Sequence, residues 1–376
     1  LAAPISTHDT PGTAPPSWRQ PLGLPLWSVA APMLGVVAIL FSLGKAGPVG
    51  VAVAALILIG CVLAAVHQAE VVAHRVGEPF GTLVLAIAVT VIEVSLIVSL
   101  MLADGGDAAT LARDTVFAAI MIIVNGIVGL CLLAGAVRHH EQRFTLRGVS
   151  AALGVLATMA VLTLVLPNYT STVAGPVYAP SQLIFVAIVA LALYLSFVVV
   201  QTVRHRDYFL PADADNAAAH AAPPTNRTTI AAFAALVAAL VAVVLLAKSL
   251  SPTLEAAVLG AGLPLALVGV AIAAMVLAPE SLAAVRAARH NRLQTSLNLA
   301  LGSALATIGL TIPAVAIVSL VLGLPLSLGI DAKSMVLLAL SLFAVTLSLG
   351  NGRTTVLPGI VHLLLFATYL FVTIVP

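Results

Sequence analysis

Residues 79–102 read PFGTLVLAIAVTVIEVSLIVSLML, a run of 24 residues in which Glu93 is the one charged side chain. At about 1.5 Å per residue a helix of this length reaches roughly 36 Å, enough to cross the roughly 30 Å hydrocarbon core of a bilayer. Glu93 stands about fourteen residues beyond Pro79, roughly 21 Å along that helix and far from both ends. An acid at the centre of a span costs about 2.5–3.5 kcal/mol on insertion scales, and such residues face a cavity or a partner rather than lipid. One stretch therefore places the chain in a membrane and a polar site inside it.

The remaining sequence agrees. Of 376 residues, 61% are hydrophobic and 8% charged, with a mean hydropathy of +1.16. Soluble domains run about 45–50% apolar and about 25% charged, so a single water-soluble globule is excluded. Sixteen basic residues against fourteen acidic ones leave a net charge of +2, with no basic excess of the kind that binds nucleic acid. Cys61 and Cys131 lie inside apolar runs without a CxxC pattern, which argues against a disulfide scaffold or a zinc site. Residues 1–23, rich in Pro and polar side chains, lack the basic-then-apolar order of a cleaved leader and read as a disordered tail.

Runs of about 20 apolar residues between turn-forming or charged punctuation predict eleven spans. They fall at 25–43, 48–68, 79–102, 114–137, 148–166, 181–203, 230–249, 257–282, 294–321, 333–349 and 355–375. Trp27, Tyr169, Tyr178 and Tyr208 sit near span ends, where amphipathic rings favour the headgroup layer. With eleven spans, the amino-terminal side of the membrane carries twelve of the sixteen basic residues, and the other side carries Lys45, Arg113, Lys248 and Lys333. Basic residues concentrate in cytoplasmic loops, which predicts a cytoplasmic amino terminus, an outside carboxyl terminus and a multi-pass protein of the inner (plasma) membrane.

The longest polar stretch between spans, 204–229, leaves five spans on either side and one extra at the start. Five is odd, so two equivalent units must enter the membrane with opposite orientation, a plan shared by many secondary transporters. The expected organisation is a disordered cytoplasmic tail at 1–23, a first transmembrane helix within 24–47, a five-helix repeat at 48–203, a cytoplasmic linker at 204–229 and an inverted five-helix repeat at 230–376. The fold class is an all-α polytopic membrane protein. Sliding Gly77 onto Pro264 brings Glu93 onto Glu280, each in the second helix of its unit; in the third helices a slide five residues shorter pairs Met121 with Ser303 and Asn125 with Thr307.

Two acids from opposed halves suggest a cation site. Calcium takes six to eight oxygens, from carboxylates, carbonyls and water. Glu93 and Glu280 would neutralise it, with Thr90, Asn125, Ser303 and Thr307 either completing the shell or serving close helix packing. Cation and protons would compete for the same carboxylate oxygens, the minimum requirement for exchange. Pro279 frees the Met275 carbonyl and Pro313 the Gly309 carbonyl; with Gly302 they mark places where a helix can break.

At these residues the chain resembles the calcium/cation antiporter superfamily, most of all its bacterial calcium/proton (sodium/potassium–proton) antiporter branch. The similarity runs from His67-Gln68-Ala69-Glu70 through Gly77-Glu78-Pro79-Phe80-Gly81-Thr82-Leu83 to Ala88-Val89-Thr90-Val91-Ile92-Glu93-Val94-Ser95-Leu96-Ile97. It continues in Arg113-Asp114-Thr115 and Asn125-Gly126, then in Ala278-Pro279-Glu280-Ser281 and Asn291 through Ala304. The resemblance implies alternating access, export of Ca²⁺ or of Na⁺ or K⁺ against H⁺, no cofactor and no enzyme activity, with Glu93 and Glu280 as cation and proton ligands. Vacuolar and animal relatives often carry Gly-Asn-x-x-Glu. Here Val89-Thr90-Val91-Ile92 and Val276-Leu277-Ala278-Pro279 precede the two acids, so an amide ligand is missing from each half.

His67, Glu70, His74 and Glu78 stand at helical spacing near the cytoplasmic end of the second span. They form either a solvated interfacial face or a proton-access and gating face. His139, His140 and Glu141 read as a wet loop, and Asp213, Asp215 and His220 as part of a flexible spacer. Asp104, Asp107 and Asp114 read as solvated groups on the outer side. Two other functions fit less of the sequence. A cation channel would conduct without coupling to a pH gradient. An intramembrane serine hydrolase would need Ser303 and His362 paired beside an oxyanion hole, and no Gly-x-Ser-Gly context surrounds the serine.

Overall fold

Each apolar run forms a helix in the computed structural model, which describes residues 23–77, 80–103, 107–210 and 224–375. The helices are α1 (Leu26–Leu40), α2 (Gly47–Val76) and α3 (Phe80–Ala103), then α4 (Leu111–His139), α5 (Leu146–Tyr169) and α6 (Pro180–Arg204). After the central linker come α7 (Asn226–Gly260), α8 (Ala266–Arg289), α9 (Leu293–Leu322), α10 (Ala332–Leu349) and α11 (Val356–Ile374). Among the described residues, nine helices are long and apolar enough to cross a membrane; the other apolar stretches, Leu26–Leu40 and Leu83–Ser99 of α3, are shorter. The protein is an all-helical, multi-pass membrane protein.

Local chemistry sets the ends. Asp331 caps α10 by accepting from the Ser334 N–H at 3.1 Å, and Thr225 caps α7 through the Thr228 N–H at 3.2 Å, each satisfying a donor the first turn leaves free. Gly77, at φ +75°, ends α2 in a conformation that side chains with a Cβ avoid.

Two predicted boundaries are corrected. The sequence suggested spans at 230–249 and 257–282, but α7 runs on through Pro252 to Gly260 and α8 starts at Ala266. A proline removes one intrahelical hydrogen bond and otherwise tolerates helical φ, and in an apolar medium the remaining backbone bonds keep the helix intact. Pro279, expected as a helix break, likewise sits inside a continuous α8; the Ser281 hydroxyl donates to the Leu277 carbonyl at 2.6 Å there.

The core forms around α4. From Thr115 to Gly129 every residue of that helix is buried, as expected for a helix apolar on all sides. It packs on α8, α9 and α11, while α2 gathers α1, α3 and α7 into a second cluster. Large apolar side chains such as Phe185, Ile188, Ile317 and Phe343 point outward, where lipid covers them. Sequence reading missed a clasp: β1 (Gln142–Arg143) pairs antiparallel with β2 (Arg353–Thr354). Glu141 lies 3.7 Å from Arg143 and 3.6 Å from Arg353, tying the α4–α5 and α10–α11 connections together.

Four helices carry π-turns that the sequence did not announce: Val161–Val165 lies in α5 and Val200–Arg204 ends α6, and two more lie in the helices that follow α3 and α8. Ile122–Ile127 widens α4, and Thr307–Thr311 widens α9 just before Pro313. A Cβ added at Gly309 would overlap the Tyr194 Cβ of α6, and no side-chain rotation relieves a clash between two Cβ atoms. Gly309→Ala is expected to destabilise the protein by about 1–3 kcal/mol, read as a lowered thermal midpoint in detergent. Gly154→Ala, which meets open space, should leave that midpoint unchanged or raise it.

Candidate functional site

Glu93 lies thirteen residues into α3 and Glu280 fourteen residues into α8, both helices of 24 residues. Their side chains reach one cavity of about 220 Å³, room for a cation together with several waters. Glu93 is 2% exposed, whereas Glu280 is half-buried. The walls are mostly apolar, from Leu85, Ala86, Val89, Phe197 and Val198. Carboxylates in such a setting are kept neutral by a proton or matched by opposite charge and hydrogen-bond donors.

Both acids are held by α9. The Thr311 hydroxyl donates to Glu93 Oε2 at 2.7 Å, and the Ser303 hydroxyl donates to Glu280 Oε2. Ser303, Thr307 and Thr311 recur every fourth residue, so one face of α9 serves both carboxylates. A hydroxyl that donates its proton to a carboxylate keeps two lone pairs, so it can ligate a cation held by the same carboxylate. Thr90 and Thr307 line the cavity with them. Gly302 also lines it; the helix is unbroken there, and the missing side chain leaves space. Of the three expected break points, Pro313 stands beside an actual irregularity, one residue after Ile312 at the end of the α9 π-turn.

Toward one end of the helices the lining becomes polar and uncharged: Gln201 of α6, then Thr295 and Asn298 of α9. Gln201 is three residues from Arg204 and Thr295 three from Arg292, about 4.5 Å along a helix. The cavity thus extends to the side of the protein that bears the basic residues. Asn298 is fixed there by a directed chain: the Thr145 N–H donates to Gln294 Oε1 at 2.6 Å, Gln294 Nε2 to Asn298 Oδ1 at 2.8 Å, and Asn298 Nδ2 to the Phe209 carbonyl at 2.6 Å.

Not every candidate joins the cavity. Asn125, suggested as a supporting ligand or packing residue, is fully buried elsewhere, with its amide engaged by Ser341 and His362. Its place in the α4 π-turn swings it to the side facing α10 and α11. Ser303 and His362 have different partners, Glu280 and Asn125, so the pairing a hydrolase needs is not made. His67, Glu70 and His74 lie along α2 outside the cavity lining, His67 Nδ1 standing 3.9 Å from Glu70 Oε2 and its ring 5.3 Å from that of Trp27. Glu78, Pro79, Asp104, Asp213, Asp215 and His220 fall outside the described residues. Thr311, Gln201, Thr295 and Asn298 were missed as site residues; Thr311 had a signal as the next member of the every-fourth series begun by Ser303 and Thr307, and Thr295 and Asn298 lie in the Asn291–Ala304 stretch that carries the family resemblance.

Two carboxylates thus reach one cavity inside an all-helical membrane protein. Residues 46–203 and 231–375 match the sodium/calcium exchanger protein family. The chain is 49% identical to the protein y4hA of Sinorhizobium fredii (strain NBRC 101917 / NGR234), over 94% of its own length and 97% of that protein's. It is 36% identical to the sodium-potassium/proton antiporter ChaA of Escherichia coli (strain K12), over 91% and 94% of the two lengths. Its fold matches native YfkE at a TM-score of 0.71 and 18% identity, over 93% of this chain and 99% of that one. The H⁺/Ca²⁺ exchanger CAX matches at 0.71 and 17%, over 92% and 87%. The chain belongs to the sodium/calcium exchanger protein family, within the calcium/cation antiporter superfamily.

Proposed function

We propose that this protein is a cation/proton antiporter in which Glu93 and Glu280 bind the cation and protons in turn, exporting Ca²⁺, or Na⁺ or K⁺, against H⁺. The observation that carries this reading is the meeting of both carboxylates in one cavity, each with a hydroxyl from α9. Protons and a cation cannot occupy the same oxygens together, so loading one releases the other. A divalent ion matches the charge of two carboxylates, and waters with Thr90, Ser303 and Thr307 would fill the six to eight positions that calcium takes. The relative ChaA, named for sodium, potassium and protons, supports a broad cation range.

Residues 48–203 and 230–376 act in this reading as two opposed repeats that rock about the site. Acids at matching depth in α3 and α8, and a π-turn in each following helix, support that correspondence. The side rich in Arg is cytoplasmic by the positive-inside rule, which puts the amino terminus inside, the carboxyl terminus outside and the protein in the bacterial inner membrane. The polar mouth at Gln201, Thr295 and Asn298 then faces the cytoplasm, and the conformation is open inward.

Everted vesicles carrying an acid-inside pH gradient and a permeant fluorescent base test the proposal. Addition of Ca²⁺, Na⁺ or K⁺ should release lumenal protons in a saturable way. Cation uptake with no proton movement would make the protein a channel, and no response to any of the three ions would reject the reading.

A further inference from the structure

The repeat correspondence pairs Asn125 with Thr307, yet the two π-turns send these residues to opposite places. Thr307 lines the cation cavity; Asn125 points into the contact of α4 with α10 and α11, where it, Ser341 and His362 are all nearly or fully buried. The direction of each bond there follows from chemistry. The Ser341 hydroxyl donates to the Leu337 carbonyl at 2.7 Å, so its lone pairs receive the Asn125 Nδ2–H at 2.8 Å. A reversed amide would turn the Ser341 proton away from the Leu337 carbonyl and force the His362 proton onto Nε2, where a buried N–H would have no acceptor. Asn125 Oδ1 therefore faces His362 Nδ1, 3.1 Å away, and only an N–H satisfies it. His362 carries its proton on Nδ1 and a lone pair on Nε2, and that Nε2 is buried without a hydrogen-bond partner.

The groups facing this cluster are neutral: Met121 Sδ of α4, 3.7 Å from Asn125 and 3.6 Å from Ser341, and Ser341 of α10. Gly129 admits the histidine, since a Cβ there would stand 3.0 Å from the His362 Cβ. The other faces of the α4 π-turn pack on α8 and α9, the helices of Glu280 and Ser303.

We propose that His362 is a positioning residue for exchange: its Nδ1–H holds the Asn125 amide, and through it the α4 π-turn that backs the cation site from the side of α10 and α11. This rests on the antiport reading above, and the test separates the two. His362→Asn keeps an N–H donor close to the place of Nδ1 and removes the imidazole; His362→Leu fills similar volume with no donor. Exchange in everted vesicles should stay within about twofold of wild type for His362→Asn and fall about tenfold or more for His362→Leu, the scale of one buried amide left without its donor. Both variants should elute from gel filtration as wild type does. Nitrogen-15 spectra of histidine-labelled protein at neutral pH should show one imidazole with its proton on Nδ1, absent from His362→Asn.

Wild-type exchange by His362→Leu, equal losses in both variants, or a His362 signal with its proton on Nε2 would overturn the proposal. Absence of exchange from wild type itself would reject the antiport reading and with it the role in exchange, while the nitrogen-15 signal would still decide the hydrogen-bond assignment.

Discussion

Glu93→Gln abolishes cation-driven proton release for Ca²⁺, Na⁺ and K⁺ alike, while the protein continues to fold and reach the membrane. Glutamine matches glutamate in size, so the cavity keeps its shape and Thr311 keeps an oxygen to donate to. What disappears is the charge that offsets a dehydrated cation at the deepest point of the cavity. Glu93 is 2% exposed, so bulk water does not compensate, and an uncompensated buried charge costs several kcal/mol, about 100-fold or more in affinity. A cation admitted at the polar mouth then has no deep partner to be passed to. Wild-type exchange by this variant would remove Glu93 from the site.

Glu280→Gln separates the ions instead. With one carboxylate left, a divalent cation in the cavity retains a net positive charge, whereas a monovalent one is neutralised. Ca²⁺-dependent proton release should fall about 100-fold or more, and Na⁺- or K⁺-dependent release should fall by less. Glu280 is half-buried, and its partner Ser303 stands nearer Asn298 along α9 than Thr311, the partner of Glu93, so water screens its loss better than that of Glu93. The measurement is the cation concentration giving half-maximal dequenching, taken for each ion. Equal losses for monovalent and divalent ions would show that Glu280 does not share the charge of the bound cation in the way proposed.

Most of the architecture was legible because lipid makes strict demands. Runs of apolar residues had to become helices, and Glu93 and Glu280 stood out because an acid in mid-span is costly. Where reading failed, the cause was local. A gap was expected between 249 and 257 and a break at Pro279, since in water a proline commonly stops a helix; inside a bilayer the broken bond at Pro252 or Pro279 stays within a helix whose neighbours shield it. The π-turns of α4 and α9 leave no pattern in residue type, and they decide where Asn125, Thr307 and Thr311 point. Asn125 was a ligand or a packing residue by its place in the repeat, and the extra residue in its turn settles it into packing against His362. Gln201, Thr295 and Asn298 sit near span ends, where polar residues are ordinary, so nothing marked them as the mouth of a cavity. The β1–β2 clasp is two residues per strand, too short for any alternation of side chains to show.

The central claim is that one pair of carboxylates holds either protons or a cation. Purified protein in weakly buffered detergent solution, titrated with Ca²⁺ while a pH indicator and a calcium electrode are read together, tests it without a membrane or a gradient. The account predicts that protons leave as Ca²⁺ binds, up to two per ion because two carboxylates face the cavity, with both signals lost in Glu93→Gln. Saturable Ca²⁺ binding at the same affinity in Glu93→Gln, or binding by wild type that releases no protons across neutral and mildly acidic solution, would contradict it.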